Sequence, residues 1–326
     1  MSAPSRRRLA PPAPRLFLGL TPSESRLEKA RVAVIPAPFD QTTSYLPGTR
    51  FGPRAILEAS RQVEFYDEEL DREPFEIGVA TLEEIDVDPA DVEAGMRRLE
   101  ETVESVAERG VVPFTLGGEH TLTLAPVAAL LRRFPGLSVL QLDAHLDFRD
   151  AYQGTKLSHA CVMRRIRELG VSTVSVGIRS VSKEEADYVH AEKPAVFLGR
   201  EIRAKGLPVD EIVGALGNPV YVTVDLDAFD PAFVPGVGTP EPGGLTWDEG
   251  LRVLRAVFER RQVVGMDIVE LCPIQGQIVS DFFAAKLANK MIGYLGLEAS
   301  ASMPKPGSKP KPNAGPKPKR ASKRDR

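Results

Sequence analysis

The stretch of residues 137–147 reads LSVLQLDAHLD and joins a short apolar run to three polar side chains that alternate along the chain. Residues 137–142 have the length and the Val and Leu content of a strand that is buried on both faces. Such strands belong to parallel sheets that helices cover on both sides. The stretch therefore predicts an α/β fold, and its polar end marks the edge of the sheet where ligands bind.

Five more apolar runs have the same character, and amphipathic stretches separate them. The predicted strands are residues 32–36, 111–116, 137–142, 171–177, 220–224 and 263–271. The predicted helices are residues 53–64, 89–108, 121–134, 158–169, 183–192, 209–216 and 246–260. This alternation favours a single three-layer αβα domain with a mainly parallel central sheet, since no internal repeat or linker interrupts it.

The charge of the chain is unevenly distributed. The 326 residues carry 42 Lys and Arg against 45 Asp and Glu, which gives a net charge of −3. Residues 1–15 hold four Arg and no acid, whereas residues 299–326 hold six Lys, three Arg and one Asp, so about −15 remains on residues 16–298. We predict that both Pro-rich basic ends are disordered, because they bury too little apolar surface to offset the entropy of folding. A single folded domain is predicted over residues 16–298.

Composition excludes several classes of protein. No stretch approaches the roughly 18 apolar residues that a membrane span needs, and two Cys cannot form a disulfide framework. We therefore expect a cytoplasmic protein with no membrane partner. The basic tail could contact nucleic acid, but such tails are usually only solvated, so specific nucleic-acid binding is not expected.

Polar residues follow three of the predicted strands. They alternate along the chain, and an extended backbone would point them to one side. These residues are His120 after the second strand, Asp143, His145 and Asp147 after the third, and Asp225 and Asp227 after the fifth. Four buried carboxylates without cations would repel one another and raise each other's pKa values. Two divalent ions would cancel the four charges, so the sequence predicts a dinuclear metal site.

Each cluster alone has an ordinary structural explanation, because Gly-Gly turns are common and a single Asp-x-Asp is more often a helix cap. Three such clusters in a chain with only four His favour metal binding. Carboxylate and imidazole ligands suit Mn²⁺, and Fe²⁺, Co²⁺, Ni²⁺ and Zn²⁺ stay open as alternatives. Two ions roughly 3.5–4 Å apart could share a water and generate hydroxide at neutral pH, which indicates a dinuclear hydrolase.

These motifs, in this order, resemble those of the ureohydrolases, the arginase and agmatinase family. The matching stretches are GGEH at 117–120, DAHLD at 143–147, SH at 158–159, DLDAFDP at 225–231 and DIVE at 267–270, with the loops 47–54 and 235–245. The resemblance implies an arginase-like domain that hydrolyses a small guanidino compound to urea and an amine with two Mn²⁺ per subunit. It also implies a homo-oligomer, commonly a trimer or a hexamer.

The resemblance further implies roles for individual residues. One ion would be bound by His120, Asp143, Asp147 and Asp225, and the other by Asp143, His145, Asp225 and Asp227. Glu270 resembles the carboxylate that pairs with the substrate guanidinium, where a forked contact would fix orientation. His159 resembles the histidine that carries protons to the leaving amine, a role that suits a pKa near neutrality.

The substrate is less well defined. Arginases have an Asn and a Ser where this chain has Arg149 and Thr155, which speaks against arginine as the substrate. Residues 147–150 and 156–160 look more like prokaryotic agmatinases, so agmatine, cleaved to putrescine and urea, is the expected substrate. Arg149 and Asp150 are then expected at the substrate site. Arg149 could turn away, pair with Asp150 or Glu241, or bind an acidic end of a substrate.

Several alternatives stay open. Arginine, a guanidino acid and aminopropylagmatine are the other candidate substrates. A metal-dependent deacetylase shares the general fold, but the paired acid motifs indicate two metals and argue against it. A non-catalytic metal-binding protein would require a missing ligand, and all six are present.

Overall fold

Eight strands form one parallel sheet in the computed structural model, which describes residues 15–87 and 91–297. The strands are β1 (Val32–Ala37), β2 (Val79–Thr81), β3 (Val112–Gly117), β4 (Ser138–Leu142), β5 (Ser172–Ile178), β6 (Ala195–Leu198), β7 (Val220–Asp225) and β8 (Val263–Val269). Across the sheet their order is β2, β1, β3, β8, β7, β4, β5, β6, and every pairing is parallel. The predicted α/β class with its parallel central sheet is confirmed.

Helices cover both faces of the sheet. The α-helices of the described residues are α1 (Gly52–Ser60), α2 (Val92–Glu108), α3 (Leu124–Arg133), α4 (Val162–Glu168), α5 (Lys183–Glu192), α6 (Gly199–Lys205), α7 (Val209–Ala215), α8 (Trp247–Arg260) and α9 (Val279–Tyr294). Val32 and Val34 belong to one apolar layer with α1, α8 and α9, whereas Ala33 and Ile35 belong to another with α2, α3 and α4. Because successive strand residues point to opposite faces, β1 contributes to both layers of the αβα arrangement.

The six predicted strands are all present, and their ends shift by at most two residues. The edge strands β2 and β6 escape prediction because three or four residues are too few to show a periodicity. The helices predicted at residues 121–134 and 158–169 begin as 3-10 turns, His120–Thr123 and His159–Cys161. Helix α9 escapes prediction because most of its residues from 284 onward are buried, Asn289 and Lys290 included, so it lacks the polar face by which amphipathic helices are recognised.

The domain limits stay a prediction. Except for Arg15, the basic ends predicted as disordered, residues 1–15 and 299–326, lie outside the described residues. In the part of the chain that the structure describes, no helix is long and apolar enough to cross a bilayer.

The four central strands β3, β8, β7 and β4 end side by side at one edge of the sheet. β3 and β4 follow each other in the chain, yet β8 and β7 separate them in the sheet, so the chain changes direction across the sheet here. Such a reversal opens a crevice at the carboxyl ends of the strands, where ligands bind in α/β proteins. Each cluster of the predicted metal site follows one of these strands.

Gly118 lies in the turn after β3, where the backbone passes close to Phe39. A Cβ at this position would lie 1.7 Å from the Phe39 carbonyl oxygen and 2.6 Å from the Phe39 nitrogen. A backbone atom cannot swing aside as a flexible side chain can. We expect Gly118→Ala to lower the free energy of unfolding by about 3 kcal/mol or more, measured by thermal and urea unfolding followed by circular dichroism.

Gly214→Ala is the matched control for this substitution. Gly214 lies in α7, and nothing within 4 Å would meet an added Cβ. Alanine at a helical position free of clashes stabilises by roughly 0.5–1 kcal/mol. Equal unfolding curves for the two variants would contradict the close approach at Gly118.

Candidate active site

His120 lies at the centre of the first group of acids. Its Nδ1 is 3.0 Å from Asp147 Oδ2, 3.1 Å from Asp143 Oδ2 and 3.3 Å from Asp225 Oδ2. All four side chains are buried, and Nδ1 makes no well-formed hydrogen bond with any described residue. A buried nitrogen that faces three carboxylate oxygens in this way matches a ligand of a shared cation.

His145 lies in a second, adjacent group. Its Nδ1 is 2.9 Å from Asp227 Oδ2 and 3.6 Å from Asp143 Oδ1. Asp143 therefore turns one oxygen to each group. The candidate ligand atoms of His120, Asp143 and Asp147 lie within 4.8 Å of one another, and so do those of Asp143, His145 and Asp227. The structure brings five of the six predicted metal residues into two groups that share Asp143, and it places Asp225 beside His120 of the first group.

The backbone achieves this convergence by turns, whereas the sequence pattern suggests an extended chain. β4 ends at Leu142, and Asp147 adopts a left-handed backbone with φ of 55°. Asp227 lies in a 3-10 turn after β7, and its N–H donates to Asp225 Oδ1 at 2.9 Å. The Ala144 N–H donates to Asp227 Oδ1 at 3.0 Å, which joins the two motifs directly.

Buried polar residues below the acids orient them. The Thr223 hydroxyl lies 2.9 Å from His120 Nε2, and Gln141 Nε2 donates to Asp143 Oδ2 at 2.7 Å. A proton on His120 Nε2, donated to Thr223, leaves the Nδ1 lone pair for a cation. The sequence motifs miss these two residues, although each lies two positions before an Asp of the site and so shares its face of the strand.

Thr223→Val removes the hydroxyl below His120 and keeps the shape of the side chain. Loss of such an outer partner typically lowers metal affinity or activity by about 10- to 100-fold, and we expect a loss of this size. Titration calorimetry with Mn²⁺ would measure it. Ser138→Ala is the control, because this buried hydroxyl has no hydrogen-bond partner among the described residues and lies at the opposite end of β4. Equal affinity in both variants would contradict the role of Thr223.

Burial and like charge make the acids difficult to ionise together. Burial raises the pKa of Asp147 to about 7, and the Asp143 charge adds to the effect. Burial and the charges of Asp227 and Asp143 also raise the pKa of Asp225 well above its usual range. Burial alone would lower the pKa of His120, but the three carboxylates around it raise that pKa well above normal. The site therefore favours bound positive charge.

Glu270 follows β8 and reaches the same edge of the sheet. Its Oε1 accepts a hydrogen bond from the His120 N–H at 2.7 Å, and its own N–H donates to the Gly118 carbonyl at 2.8 Å. The backbone is left-handed, with φ of 65°. Burial, with the charge of Glu119, raises the pKa of Glu270 to about 8. A cation such as a guanidinium would stabilise the ionised form of this carboxylate.

A cavity of about 200 Å³ adjoins the two groups, and His159 and Tyr152 line it together with His145 and Asp147. The His159 ring meets the Tyr152 ring edge-on at 5.9 Å between centroids. Burial, with the nearby charge of His145, lowers the pKa of His159 to about 4. The imidazole is therefore neutral at pH 7, and its pKa lies below the near-neutral value that suits the predicted proton-carrying role.

Arg149 and Asp150 have different surroundings. Arg149 lines the cavity, with its guanidinium carbon 4.9 Å from the centre of the Tyr152 ring. Asp150 Oδ1 instead pairs with Arg165 at 3.0 Å and with Lys156 at 3.2 Å. Asp150 is not among the residues that line this cavity in the described part of the chain.

Comparison with known proteins identifies the family of the chain. The model of the arginase family matches residues 30–293. The chain belongs to the arginase family. It is 43% identical over 274 residues to an N(1)-aminopropylagmatine ureohydrolase of Synechocystis sp., over 82% of this chain and 90% of the relative. It is 36% identical over 269 residues to an agmatinase of Pyrococcus horikoshii, over 82% of this chain and 93% of the relative.

A solved structure of agmatine ureohydrolase from Thermoplasma volcanium superposes on this arginase-family chain with a TM-score of 0.75 at 34% identity. The superposition covers 82% of this chain and 91% of that one. The resemblance of the motifs to ureohydrolases is thus confirmed, and the protein is an agmatinase-like hydrolase that acts on C–N bonds of linear amidines.

Proposed function

We propose that this arginase-family enzyme is a Mn²⁺-dependent ureohydrolase of agmatine-type amines, with N(1)-aminopropylagmatine as its preferred substrate. The reaction converts a guanidinium, R-NH-C(NH2)2+, and one water into urea and R-NH3+. The observation that carries the proposal is the pair of acid groups that share Asp143 beside a cavity. The higher identity to the aminopropylagmatine enzyme, 43% against 36% for the agmatinase, supports the choice of substrate.

The residues of the site fit two divalent cations. Their donors are carboxylate oxygens and imidazole nitrogens, which suit Mn²⁺, and the buried His120 Nδ1 lacks a hydrogen bond within the described residues. The ligands would be His120, Asp143, His145, Asp147, Asp225 and Asp227. When bound, the two cations would neutralise the carboxylates and acidify a water molecule so that it can attack at neutral pH.

The protein's own side chains would orient the substrate and move its protons. Glu270 is buried at the edge of the first acid group, where its carboxylate would hold the guanidinium by paired hydrogen bonds. A guanidinium carbon is a weak electrophile, so orientation contributes strongly to the rate. His159, neutral and at the cavity wall, would take up a proton and return it to the amine nitrogen as the C–N bond breaks.

Agmatine is the second candidate substrate, supported by the relatives named agmatinase. Arg149 decides between these amines and a guanidino acid. Its guanidinium lies over Tyr152 at the cavity wall, where it would attract a carboxylate and repel an ammonium group that came close. For an amine substrate we expect Arg149→Ala to keep most of the activity, whereas turnover of a guanidino acid would depend on Arg149.

A panel of four substrates tests the proposal. Protein dialysed against a chelator and resupplied with Mn²⁺ is assayed for urea release from N(1)-aminopropylagmatine, agmatine, arginine and 4-guanidinobutyrate. We expect the largest kcat/KM for N(1)-aminopropylagmatine and a smaller one for agmatine. If none of the four compounds released urea, the proposed ureohydrolase activity would be refuted. If the enzyme preferred 4-guanidinobutyrate and Arg149→Ala removed this preference, the proposed substrate class would be refuted.

A further inference from the structure

Glu119 is a buried acid that neither acid group uses, although it directly precedes His120. Its side chain is fully buried and satisfied by three short hydrogen bonds. Oε1 accepts from the hydroxyls of Thr42 and Thr121, each at 2.6 Å, and Oε2 accepts from the Thr42 N–H at 2.6 Å. The carboxylate therefore holds Thr42 by both its backbone and its side chain.

Thr42 connects this carboxylate to His159. A hydroxyl carries one proton and two lone pairs, and the short contact with Glu119 takes up the proton of Thr42. The Thr42 oxygen then accepts from the backbone N–H of His159 at 3.2 Å and lies 3.4 Å from His159 Nδ1. Because the proton of Thr42 is committed to Glu119, Nδ1 must supply the proton of its own contact. Ser158 Oγ, also 3.4 Å from Nδ1, can rotate to accept from the same nitrogen.

The other ring nitrogen faces the cavity side. His159 Nε2 lies 3.3 Å from the hydroxyl of Ser44, and both residues line the cavity. With the proton on Nδ1, Nε2 carries the lone pair. The opposite tautomer would turn an N–H, which cannot accept a proton, toward the cavity.

We propose that Glu119 and Thr42 are positioning residues that fix His159 as the Nδ1–H tautomer and leave Nε2 free to accept a proton. The catalytic consequence rests on the proposed function, in which His159 moves a proton to the leaving amine, whereas the tautomer itself does not. The arrangement places a hydroxyl between a buried carboxylate and an imidazole, so the carboxylate orients the ring through Thr42. It also explains why a buried acid that takes no part in either acid group lies beside the site.

The tautomer can be read directly from the ring nitrogens. In full-length protein loaded with diamagnetic Zn²⁺, two-dimensional ¹H–¹⁵N spectra of the imidazole rings separate protonated from unprotonated nitrogens. Only four His are present, and His159→Asn identifies the signals of His159. We expect a protonated Nδ1 and an unprotonated Nε2 in the wild-type protein.

Thr42→Val keeps the shape of the side chain and removes the hydroxyl. We expect it to shift His159 toward the Nε2–H tautomer and to lower kcat on the best guanidino substrate by about 10- to 100-fold with little change in KM. Thr42→Ser should restore both the tautomer and kcat. Thr121→Val is the matched control. The Thr121 hydroxyl donates to the same oxygen of Glu119 and lies 3.3 Å from the Thr42 hydroxyl, but it makes no hydrogen bond with His159, so its loss should leave the tautomer unchanged.

Two results would overturn the proposal. One is a wild-type His159 protonated on Nε2, a result that does not depend on whether Thr42→Val folds. The other is a folded Thr42→Val protein with the tautomer and kcat of the wild type. Failure of the wild type to release urea from any guanidino compound would refute the proposed function instead, and the spectra would still decide the tautomer.

Discussion

Asp225→Asn is expected to remove metal-dependent urea release and, at the same time, to make the metal-free protein more stable. The change replaces one carboxylate oxygen, 3.3 Å from His120 Nδ1, by an amide NH2 group, which is a poor ligand for a hard cation. The remaining oxygen can still accept the Asp227 N–H, as Asp225 Oδ1 does at 2.9 Å. The loss of activity should be larger than the loss of about 10- to 100-fold that follows when a residue hydrogen-bonded to a metal ligand is replaced.

The gain in stability follows from the pKa of Asp225. Burial and the charges of Asp227 and Asp143 raise this pKa in the folded protein, so the folded state binds more protons than the unfolded state. The metal-free protein therefore loses stability as the pH rises from the pKa of Asp225 in the unfolded chain to its raised pKa in the folded protein. Asparagine does not ionise, so the substitution removes this loss. Each pKa unit between the folded and unfolded values of Asp225 corresponds to about 1.4 kcal/mol in the free energy of unfolding.

Thermal unfolding with and without chelator between pH 5 and 8, together with urea release, measures both effects. Asp230→Asn in the same motif is the control. Asp230 accepts hydrogen bonds from the backbone of Ala232, Gly243 and Gly244, which lower its pKa, so its loss should destabilise the protein without removing the metals. If Asp225→Asn destabilised the metal-free protein, the charge of Asp225 would not be under electrostatic strain in the folded state.

The fold was largely readable from the sequence because each central strand is long and apolar, with a polar cluster at its end. β3, β4, β7 and β8 have these features, and together they carry the site. Strands β2 and β6 and helix α9 have no such signal. Their positions follow from packing, since a short edge strand or a mostly buried helix has no sequence period of its own.

The ligand types of the site follow from the motifs, but the way in which the chain brings them together does not. Left-handed backbone at Asp147 and Glu270 depends on tertiary contacts, such as that between the Glu270 N–H and the Gly118 carbonyl. The support residues Thr223 and Thr42 are ordinary polar residues in the sequence. Only the folded structure shows that one lies below His120 and the other beside His159.

Lys290→Met is expected to lower the free energy of unfolding by about 3–5 kcal/mol, because it leaves a buried acid unpaired. Lys290 is 2% exposed in α9, and its Nζ lies 2.8 Å from Asp67 Oδ1 and 3.0 Å from Glu69 Oε2. Asp67 is fully buried, and its Oδ2 already lacks a hydrogen bond within the described residues. Methionine matches the length of the lysine stem but supplies no charge, so the buried carboxylate of Asp67 loses its cation and keeps, in the described part of the chain, only the N–H groups of Glu69 and Leu70 as partners.

Lys286→Met, one turn earlier in α9, separates this effect from a general loss of charge. Lys286 Nζ lies 3.9 Å from Oε2 of the exposed Glu68. Its replacement should lower the free energy of unfolding by about 0–1 kcal/mol, the usual contribution of a surface ion pair. Chemical unfolding of both variants gives the comparison. Adding Asp67→Asn to Lys290→Met should recover part of the loss, because the buried negative charge is then gone. Equal costs for the two lysine substitutions would mean that the buried pair contributes no more than a surface one, so the ion pair would not be what holds α9 to the segment around Asp67.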